Sequence, residues 1–218
     1  MEREAAVSSA DHFNAQLVGG RLAVDFANVA LTPEEPGNAF SGWRVLIGFL
    51  VSVGNISNVR AAALLDLAHS AADETEALVE TALDLRDAIR RSLRARMEQV
   101  TLQPAWIAQI NSILACTEGY DRLESNGAIT ASGFDWRISL AARSDGAEWL
   151  LAAIARSAAE LIAEGPAAPI RKCANPKCEL YFYDDSRTGR RRWCSMATCG
   201  NRAKVAAHSR RKRTASAD

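Results

Sequence analysis

The chain has 218 residues, with 26 Lys plus Arg against 26 Asp plus Glu and 48% hydrophobic side chains, a composition that excludes disordered, collagen-like and disulfide-scaffold proteins. The zero net charge hides a division: residues 1–170 carry 13 Arg, no Lys and 22 acidic residues, a net charge of −9. Residues 171–218 carry 13 basic and 4 acidic residues, a net charge of +9. This asymmetry predicts a basic module on an acidic body.

The N-terminus and the apolar runs argue against secretion and membrane insertion. Charges at Arg3, Asp11, Arg21 and Asp25 interrupt the first thirty residues, so no signal-peptide core is present. The longest apolar run, residues 45–53, is nine residues long, far fewer than the roughly 20 that span a bilayer. We therefore predict a cytoplasmic protein with no membrane partner.

The first structured elements are expected after a disordered N-terminus at residues 1–14. The segment QLVGGRLAVDFANVA, residues 16–30, has a Gly-Gly turn signal and then alternating apolar residues, a pattern that predicts a hairpin or strand. A Pro-rich loop, residues 32–37, precedes an apolar segment, residues 42–53, that fits a helix or a strand. Asn55 and Ser57 are N-cap candidates for a helix that ends near Ala72.

The longest helix is predicted next, because Asp73 and Glu76 have the spacing of a capping box. Apolar residues then recur from Leu78 to Val100 at steps of three and four. We interpret the opposite face as charged and exposed to solvent. Its arginines are Arg86, Arg90, Arg91, Arg94 and Arg96.

Two more helices and a set of strands complete the predicted body. Pro104 fits the first turn of a helix that runs to about Thr117, and Asp145 with Glu148 opens a final helix that stops at the Gly- and Pro-containing residues 165–169. Asn-Gly and Ser-Gly pairs separate the runs between these helices. Short antiparallel strands are predicted at residues 120–123, 128–130 and 134–140.

The strongest chemical signal is a quartet of cysteines, in which two CxxxxC pairs are separated by fifteen residues. Two close thiolate pairs provide the four soft ligands of tetrahedral zinc, and the metal lets a short segment fold. Ser195 is a cap candidate for a helix to about Arg210, so we predict a treble-clef-like, four-cysteine zinc finger in which a hairpin precedes a helix. The predicted zinc ligands are Cys173, Cys178, Cys194 and Cys199.

One structural Zn²⁺ is the preferred interpretation of the quartet. A cytosolic setting disfavours two disulfides, and iron–sulfur clusters usually show tighter spacings. Four thiolates leave no open position for a catalytic zinc. The chain also has no Walker loop, no GxGxxG and no Ser/His/Asp or Cys/His arrangement, so we predict that it is not an enzyme.

Sequence motifs around the cysteines and near the N-terminus resemble those of known families. The segments KCANPKCELYFYD and RRRWCSMATCGNRAKVAAHSRRKR closely resemble the CGNR zinc-finger family, and LVGGRLAVDFANVA resembles the start of the ABATE domain that accompanies this finger. The resemblance implies a bacterial, stress-linked transcription regulator with a C-terminal DNA-binding finger. The predicted fold is thus α+β: a mostly helical N-terminal domain with a small antiparallel strand set, plus the finger. The predicted boundaries are an ABATE-like domain at 15–165, a linker at 166–170, the finger at 171–213 and a tail at 214–218.

The basic segment predicts binding to a polyanion, because a planar guanidinium can bind phosphate or guanine through two donors. A competing interpretation is that the arginines neutralise the zinc–thiolate centre and solubilise a tail. The residue types alone do not separate DNA from RNA; the resemblance favours DNA. The predicted nucleic-acid-binding residues are Arg187, Arg190, Arg191, Arg192, Arg202, Lys204, Arg210, Arg211, Lys212 and Arg213.

Three functions therefore compete: a DNA-binding regulator, an RNA- or ribosome-associated module, and a small-molecule receptor without direct nucleic-acid binding. In the first, the acidic body senses an unknown small-molecule effector or forms a homodimer. In the third, the body is an enzyme or a small-molecule receptor whose ligand pocket is lined by Asp25, Asn28 and Trp43. The sequence favours a structural role for these three residues over the pocket, with Asp25 and Asn28 as turn or capping groups and Trp43 in the core.

Overall fold

A computed structural model describes residues 17–31, 39–115, 119–130, 133–142 and 148–214. The predicted disordered N-terminus, the predicted Pro-rich loop and the Asp145 helix start lie outside these residues. No helix among the described residues has both the length and the apolar character needed to cross a membrane.

The Gly-Gly segment corrects the first prediction, because it leads into a short helix, α1 (Leu22–Asn28), and not a strand. Gly20 adopts a φ of +74°, a turn conformation that glycine supplies without strain. The alternation of Leu22, Val24 and Phe26 fits a strand, but Ala23 and Ala27 are buried as well. Burial at 23, 24, 26 and 27 is the pattern of a helix face, and a run this short does not separate the two periods.

The three helices that follow form most of the body. They are α2 (Ala39–Ser52), α3 (Asn58–Ser70) and α4 (Ala72–Met97), the longest helix described. The apolar segment at residues 42–53 is therefore helical, and the Ser57 hydroxyl caps α3 by accepting from Arg60 N–H at 3.2 Å, as predicted. The capping box is wrong, because α4 begins at Ala72 and its cap residue makes no side-chain cap bond. Asp73 instead lies in the first turn, where a carboxylate interacts favourably with the helix dipole.

The arginine face of α4 is only partly exposed. Arg91 pairs with Asp87 at 2.7 Å on the surface, as predicted. Arg90 and Arg96 turn inward, and their guanidinium groups donate to the carbonyls of Ala27 and Leu161 at 2.7 and 2.8 Å. Two of the predicted solvated arginines thus connect α4 to its neighbours.

The rest of the body agrees in type with the sequence pattern. Helix α5 (Pro104–Ala115) starts at the predicted proline, and α6 (Ala152–Ala163) follows a 3₁₀ turn. Strands β1 (Gly119–Thr130) and β2 (Gly133–Ala142) pair antiparallel. The Asn-Gly pair does not end a strand; it lies inside β1, where the register shifts between Ser125 and Ile129.

The C-terminal module is small and starts directly after a 3₁₀ turn at Gly165–Ala167. Its two strands, β3 (Ile170–Lys172) and β4 (Tyr181–Tyr183), pair antiparallel. A single π-helical turn, Met196–Gly200, leads into the last helix, α7 (Asn201–Thr214). The hairpin therefore precedes the helix, as the finger prediction requires.

One hydrophobic core joins the body to this module. Trp43 is fully buried in it and donates its indole N–H to the Leu64 carbonyl at 3.0 Å. The same cluster includes Ile170 and Tyr181 from the C-terminal module. The α+β prediction is confirmed, and the two modules pack as one body.

Candidate metal centre and nucleic-acid surface

The first cysteine pair lies between the two short strands. Cys173 follows β3, and the Asn175-Pro176-Lys177 turn reverses the chain before Cys178. Lys177 N–H donates to the Asn175 side-chain oxygen at 3.1 Å, and Cys178 N–H donates to the Asn175 carbonyl at 2.9 Å. Because asparagine stabilises such turns through its side chain, this segment folds the first pair back on itself.

The second pair spans the start of the π-helical turn. Cys194 precedes Ser195, and Gly200 N–H donates to the Ser195 carbonyl at 3.0 Å, the five-residue step of a π-turn. Ser195 occupies the cap position but its side chain forms no cap bond, so the predicted hydroxyl cap is wrong. The turn brings Cys199 back beside Cys194.

The four sulfurs converge on one point. Their Sγ atoms all lie within 4.8 Å of one another, and those of Cys178 and Cys194 are 3.8 Å apart. Zn–S bonds of about 2.3 Å in a tetrahedron place sulfurs about 3.8 Å apart, so the donor set fits one zinc ion. The quartet is a single zinc-binding site, and the zinc prediction is confirmed.

The pKa values of the cysteine thiols show why this site needs a cation. Burial raises the pKa of the Cys194 and Cys178 thiols, whereas a hydrogen bond from the Asn175 amide at 3.3 Å lowers the pKa of Cys199. Cys194 N–H also donates to the Cys173 sulfur at 3.4 Å. Zinc supplies the positive charge that holds buried sulfurs as thiolates.

The buried carboxylate of Asp184 holds the loop between the two cysteine pairs in shape through hydrogen bonds. Asp184 is 4% exposed and accepts hydrogen bonds from the backbone N–H groups of Ser186 and Arg191, at 3.2 and 3.1 Å. Arg171 pairs with it at 3.0 Å. Burial alone would raise the pKa of Asp184, but a hydrogen bond from the Ser186 hydroxyl, the two backbone hydrogen bonds and the Arg171 charge lower it. Asp184 was not among the predicted site residues, although Asp-Asp-Ser after a strand is a turn signal.

Arg191 was predicted to bind nucleic acid, but its guanidinium instead contacts groups within the chain. Its guanidinium donates to the carbonyls of Val18 and Trp193 at 3.0 and 3.1 Å and lies 4.5 Å from the centre of the Phe182 ring. These contacts join the finger to the body. Arg191 is therefore half-buried, whereas its sequence neighbours Arg190 and Arg192 are exposed.

Other predicted nucleic-acid-binding residues lie on two adjacent parts of the finger. The loop after β4 and the start of α7 expose Arg187, Arg190, Arg192, Arg202 and Lys204, and Lys212 is exposed further along α7. Arg192 lies 5.3 Å from the Trp193 ring centre. The backbone of Arg210, Arg211 and Arg213 belongs to α7, and their side chains are outside the description. We call these nine residues, without Arg191, the basic surface.

Helix α7 is largely exposed and strongly basic. The described side chains of α7 are exposed, apart from half-buried Ala203 and Ala207, and the helix carries six basic and no acidic residues. Helical spacing places Arg202 and Arg210 on one face, with Arg213 continuing it. Ala203 and Ala207 give α7 only a narrow packing stripe, so most of its described surface faces solvent.

The three residues predicted to line a ligand pocket do not meet around a cavity. Trp43 is in the core, as described above. The Asn28 amide donates to the Tyr181 carbonyl at 2.8 Å and accepts from Tyr181 N–H at 2.9 Å. Asp25 accepts from Gly19 N–H at 2.7 Å. Their polar atoms serve contacts within the chain, so the predicted pocket has no support in the described residues.

Residues 18–28, which we call the docking segment, instead hold the finger. Tyr183 N–H donates to the Gly19 carbonyl at 2.7 Å, so this loop adds to the exposed edge of β4. The Arg21 guanidinium lies 4.4 Å from the Tyr183 ring centre. Together with the Asn28 contacts, these bonds cover β4 from end to end. The segment that resembles a domain start is the joint between body and finger.

Asp25 gives this joint a measurable pH dependence. Burial raises its pKa, an effect that backbone N–H groups and the Arg191 charge only partly offset. A carboxyl group with a raised folded-state pKa stabilises the fold most below its unfolded pKa of about 3.9 and loses that contribution as the pH rises. We therefore expect the wild type to gain stability relative to Asp25→Asn as the pH falls from 7 toward 4.

Unfolding free energies from urea titrations of both zinc-loaded proteins, measured across that range, test this expectation. A difference between the two proteins that is constant with pH, or that has the opposite slope, would contradict the assignment.

Family models match both the finger and the body. A family model described as "CGNR zinc finger" matches residues 170–212. A second, ABATE, described as "Putative stress-induced transcription regulator", matches residues 20–165. Neither description names a reaction. Comparison with curated proteins gives no match.

Proposed function

The chain belongs to the ABATE family and carries a CGNR zinc finger, and from this membership we propose that it is a transcription regulator that binds DNA through the basic surface. The observation that supports DNA binding best is α7, an exposed helix with six basic and no acidic residues next to the zinc site. Neutralised phosphates release counterions, which gives such a surface affinity for any nucleic acid.

The shape of the surface favours a duplex. The major groove of B-DNA is about 12 Å wide and admits one α-helix. Arginine dominates the basic surface, and its planar fork suits both phosphate and the guanine edge. We propose that α7 approaches the groove while Arg190 and Arg192 contact the backbone beside it.

Packing of the aromatic residues argues against recognition of single-stranded RNA. Base stacking needs exposed rings, but Phe182 is 0% and Tyr181 5% exposed. Arg192 lies near the Trp193 ring, which packs against the finger core. The described aromatic side chains of the finger thus pack within the finger or against the body, which leaves the basic surface to act through charge and shape.

The acidic body supplies the regulatory part of the proposal. The docking segment fixes the finger to the body, so a change in the body can move or order the finger. The body also carries most of the acidic residues, and its charge discourages unselective binding of the whole molecule to polyanions.

A charge-reversal experiment tests the DNA-binding proposal. Zinc-loaded protein is titrated into a fluorescein-labelled duplex of about two helical turns and read by fluorescence anisotropy. We expect Arg190→Glu with Arg192→Glu to weaken binding at least tenfold, because two phosphate contacts become repulsions. Structured RNA added as competitor should displace the protein less well than unlabelled duplex.

The matched control applies the same charge change to the body. Arg91→Glu with Arg156→Glu replaces two exposed arginines whose surface ion pairs contribute little to stability. This control should retain wild-type affinity within about twofold. Equal losses in both double variants, or undetectable binding by the zinc-loaded wild type, would reject the proposal.

A further inference from the structure

A cavity of about 490 Å³ lies between the C-terminal half of α4 and helix α6. Its volume is within the range of small-molecule sites, about 300–1,000 Å³. Most of its lining is apolar, including Leu93, Met97, Leu161 and Ile162. Gly165 and Ala168 of the connecting turn and Ile170 of β3 also contribute to the lining. The cavity therefore touches the body, the connection and the first strand of the finger.

Two polar residues of the lining, Ser92 and Arg96, have buried atoms without a hydrogen-bond partner among the described residues. Ser92 and Arg96 are one helical turn apart and both line the cavity. Ser92 is 4% exposed, and its hydroxyl has no hydrogen-bond partner among the described residues. The Nε and Nη2 atoms of Arg96 are also buried without a partner, whereas Nη1 donates to the Leu161 carbonyl at 2.8 Å. Buried polar groups are normally satisfied, so three unpaired atoms on two residues that line the cavity indicate a missing acceptor.

The unpaired Arg96 atoms also indicate which acceptor fits. The N–H groups on Nε and Nη2 form one edge of the guanidinium, and a carboxylate binds such an edge through two parallel hydrogen bonds. Among the described lining residues Arg96 is the only charged one, so no acidic side chain of the lining neutralises it. Nearby Glu98 pairs with Arg94 at 2.9 Å instead. One half-buried cation in an apolar lining matches a singly charged ligand with an apolar body.

Backbone conformation at the cavity supports a specialised site. Gln99 follows the C-cap of α4 and adopts a φ of +55°, a left-handed conformation that usually requires glycine. Its N–H donates to the Arg96 carbonyl at 3.1 Å, and it lines the same cavity. Strained residues of this kind concentrate at functional sites.

We propose that this cavity binds a small organic monocarboxylate with an apolar body, whose carboxylate pairs with Nε and Nη2 of Arg96 and accepts from Ser92. Its apolar part fills the space between α4 and α6 and contacts Ile170, three residues before the ligand Cys173. Binding itself does not depend on DNA recognition. Only the consequence that the ligand changes DNA affinity rests on the proposed function.

Decanoate is the probe, with decan-1-ol and decylamine as a neutral and a cationic compound of equal chain length. Each is titrated calorimetrically into the zinc-loaded full chain, below its aggregation concentration and without DNA. We expect saturable 1:1 binding of decanoate, at least tenfold weaker binding of decanol, and no saturable binding of decylamine. Decanoate should also raise the melting temperature of the wild type. Equal affinities for decanoate and decanol, or no decanoate binding, would overturn the proposal.

Variants then assign the carboxylate to its partner. Arg96→Met should lower decanoate affinity at least tenfold while leaving decanol affinity within about twofold. Arg94→Met changes an exposed arginine on the same helix and should bind decanoate like the wild type. If Arg96→Met does not fold, Arg96→Lys keeps the charge without the fork, and an unchanged preference for decanoate over decanol in it would exclude bidentate pairing.

The final step separates this proposal from the DNA-binding proposal. Duplex affinity is measured with and without saturating decanoate. A change of at least threefold supports a regulatory site. Decanoate binding by a protein with no DNA affinity would leave the cavity assignment intact and refute only the regulator.

Discussion

Replacing Cys194 by Ser is expected to abolish zinc binding and to reduce duplex affinity by at least a hundredfold. Cys194 is 1% exposed and its sulfur is one of four converging ligands. Structural zinc contributes about 10–16 kcal/mol to the folding of isolated zinc-finger peptides. The finger core beyond the cysteines consists of few residues, with Phe182 as its only other fully enclosed member among the described residues. Without the metal, this core does not hold α7 and the Arg190 loop in place.

The helical body of the same variant should stay folded. Its core is formed almost wholly by residues before Gly165. From the finger strands it receives the buried side chains of Ile170 and Tyr181, with half-buried Tyr183 packed against it. Zinc content, read by a chromogenic chelator after denaturation, and amide hydrogen exchange measure the two modules separately. Exchange should become fast over residues 171–200 and stay slow in α2 and α4.

Ser195→Ala is the matched control for the cysteine variant. It alters the neighbouring residue, whose side chain forms no cap bond, and should retain one zinc per chain. Full zinc occupancy in Cys194→Ser, or an intact finger without zinc, would contradict the structural role of the metal.

Gly19→Ala is expected to have the next largest effect, by breaking the joint between finger and body. A Cβ at Gly19 would lie 2.5 Å from the Asp25 backbone nitrogen and 2.8 Å from the Val24 carbonyl carbon, distances that require the backbone to move. Moving this loop displaces the carbonyl that accepts from Tyr183. We expect a loss of about 3 kcal/mol in unfolding free energy, the upper end of ordinary overpacking costs.

Hydrogen exchange at the Tyr183 amide locates the damage, because that N–H should lose protection before the core does. Gly54→Ala provides the control: Gly54 has a φ of +73° and open space around its Cβ position. The Gly54→Ala variant should lose only about 1–2 kcal/mol of unfolding free energy, the cost of a left-handed backbone conformation for a residue with a Cβ. Its Tyr183 amide should stay protected. Equal protection of Tyr183 in both variants would show that the docking segment does not hold the finger.

The zinc centre could be predicted from sequence because its information is local. Four ligands within a span from Cys173 to Cys199 specify a metal through spacing and softness, without knowledge of any distant contact. The long helix α4 and the Ser57 cap were predictable for the same reason, since periodicity and capping act over a few residues.

The docking segment could not be predicted in this way. Whether residues 22–28 form a strand or a helix depends on the distant edge of β4, to which Asn28 and Gly19 bond. The polar residues there suggested a ligand pocket, because a sequence does not show which chain atoms satisfy them. Arg191 and Arg96 were misplaced for the same reason: a charged residue in a basic run or on a helix is predicted to be exposed until its partner is known.

The salt dependence of duplex binding tests whether the zinc-ordered basic surface binds DNA. The logarithm of the association constant of the zinc-loaded full chain is measured against the logarithm of salt concentration. If about five of the basic-surface residues neutralise phosphates, the slope is about −4 to −5. In Arg190→Glu with Arg192→Glu it should be shallower by about 2. A slope near zero, or one that the double variant leaves unchanged, would show that the basic surface does not bind DNA through its charges.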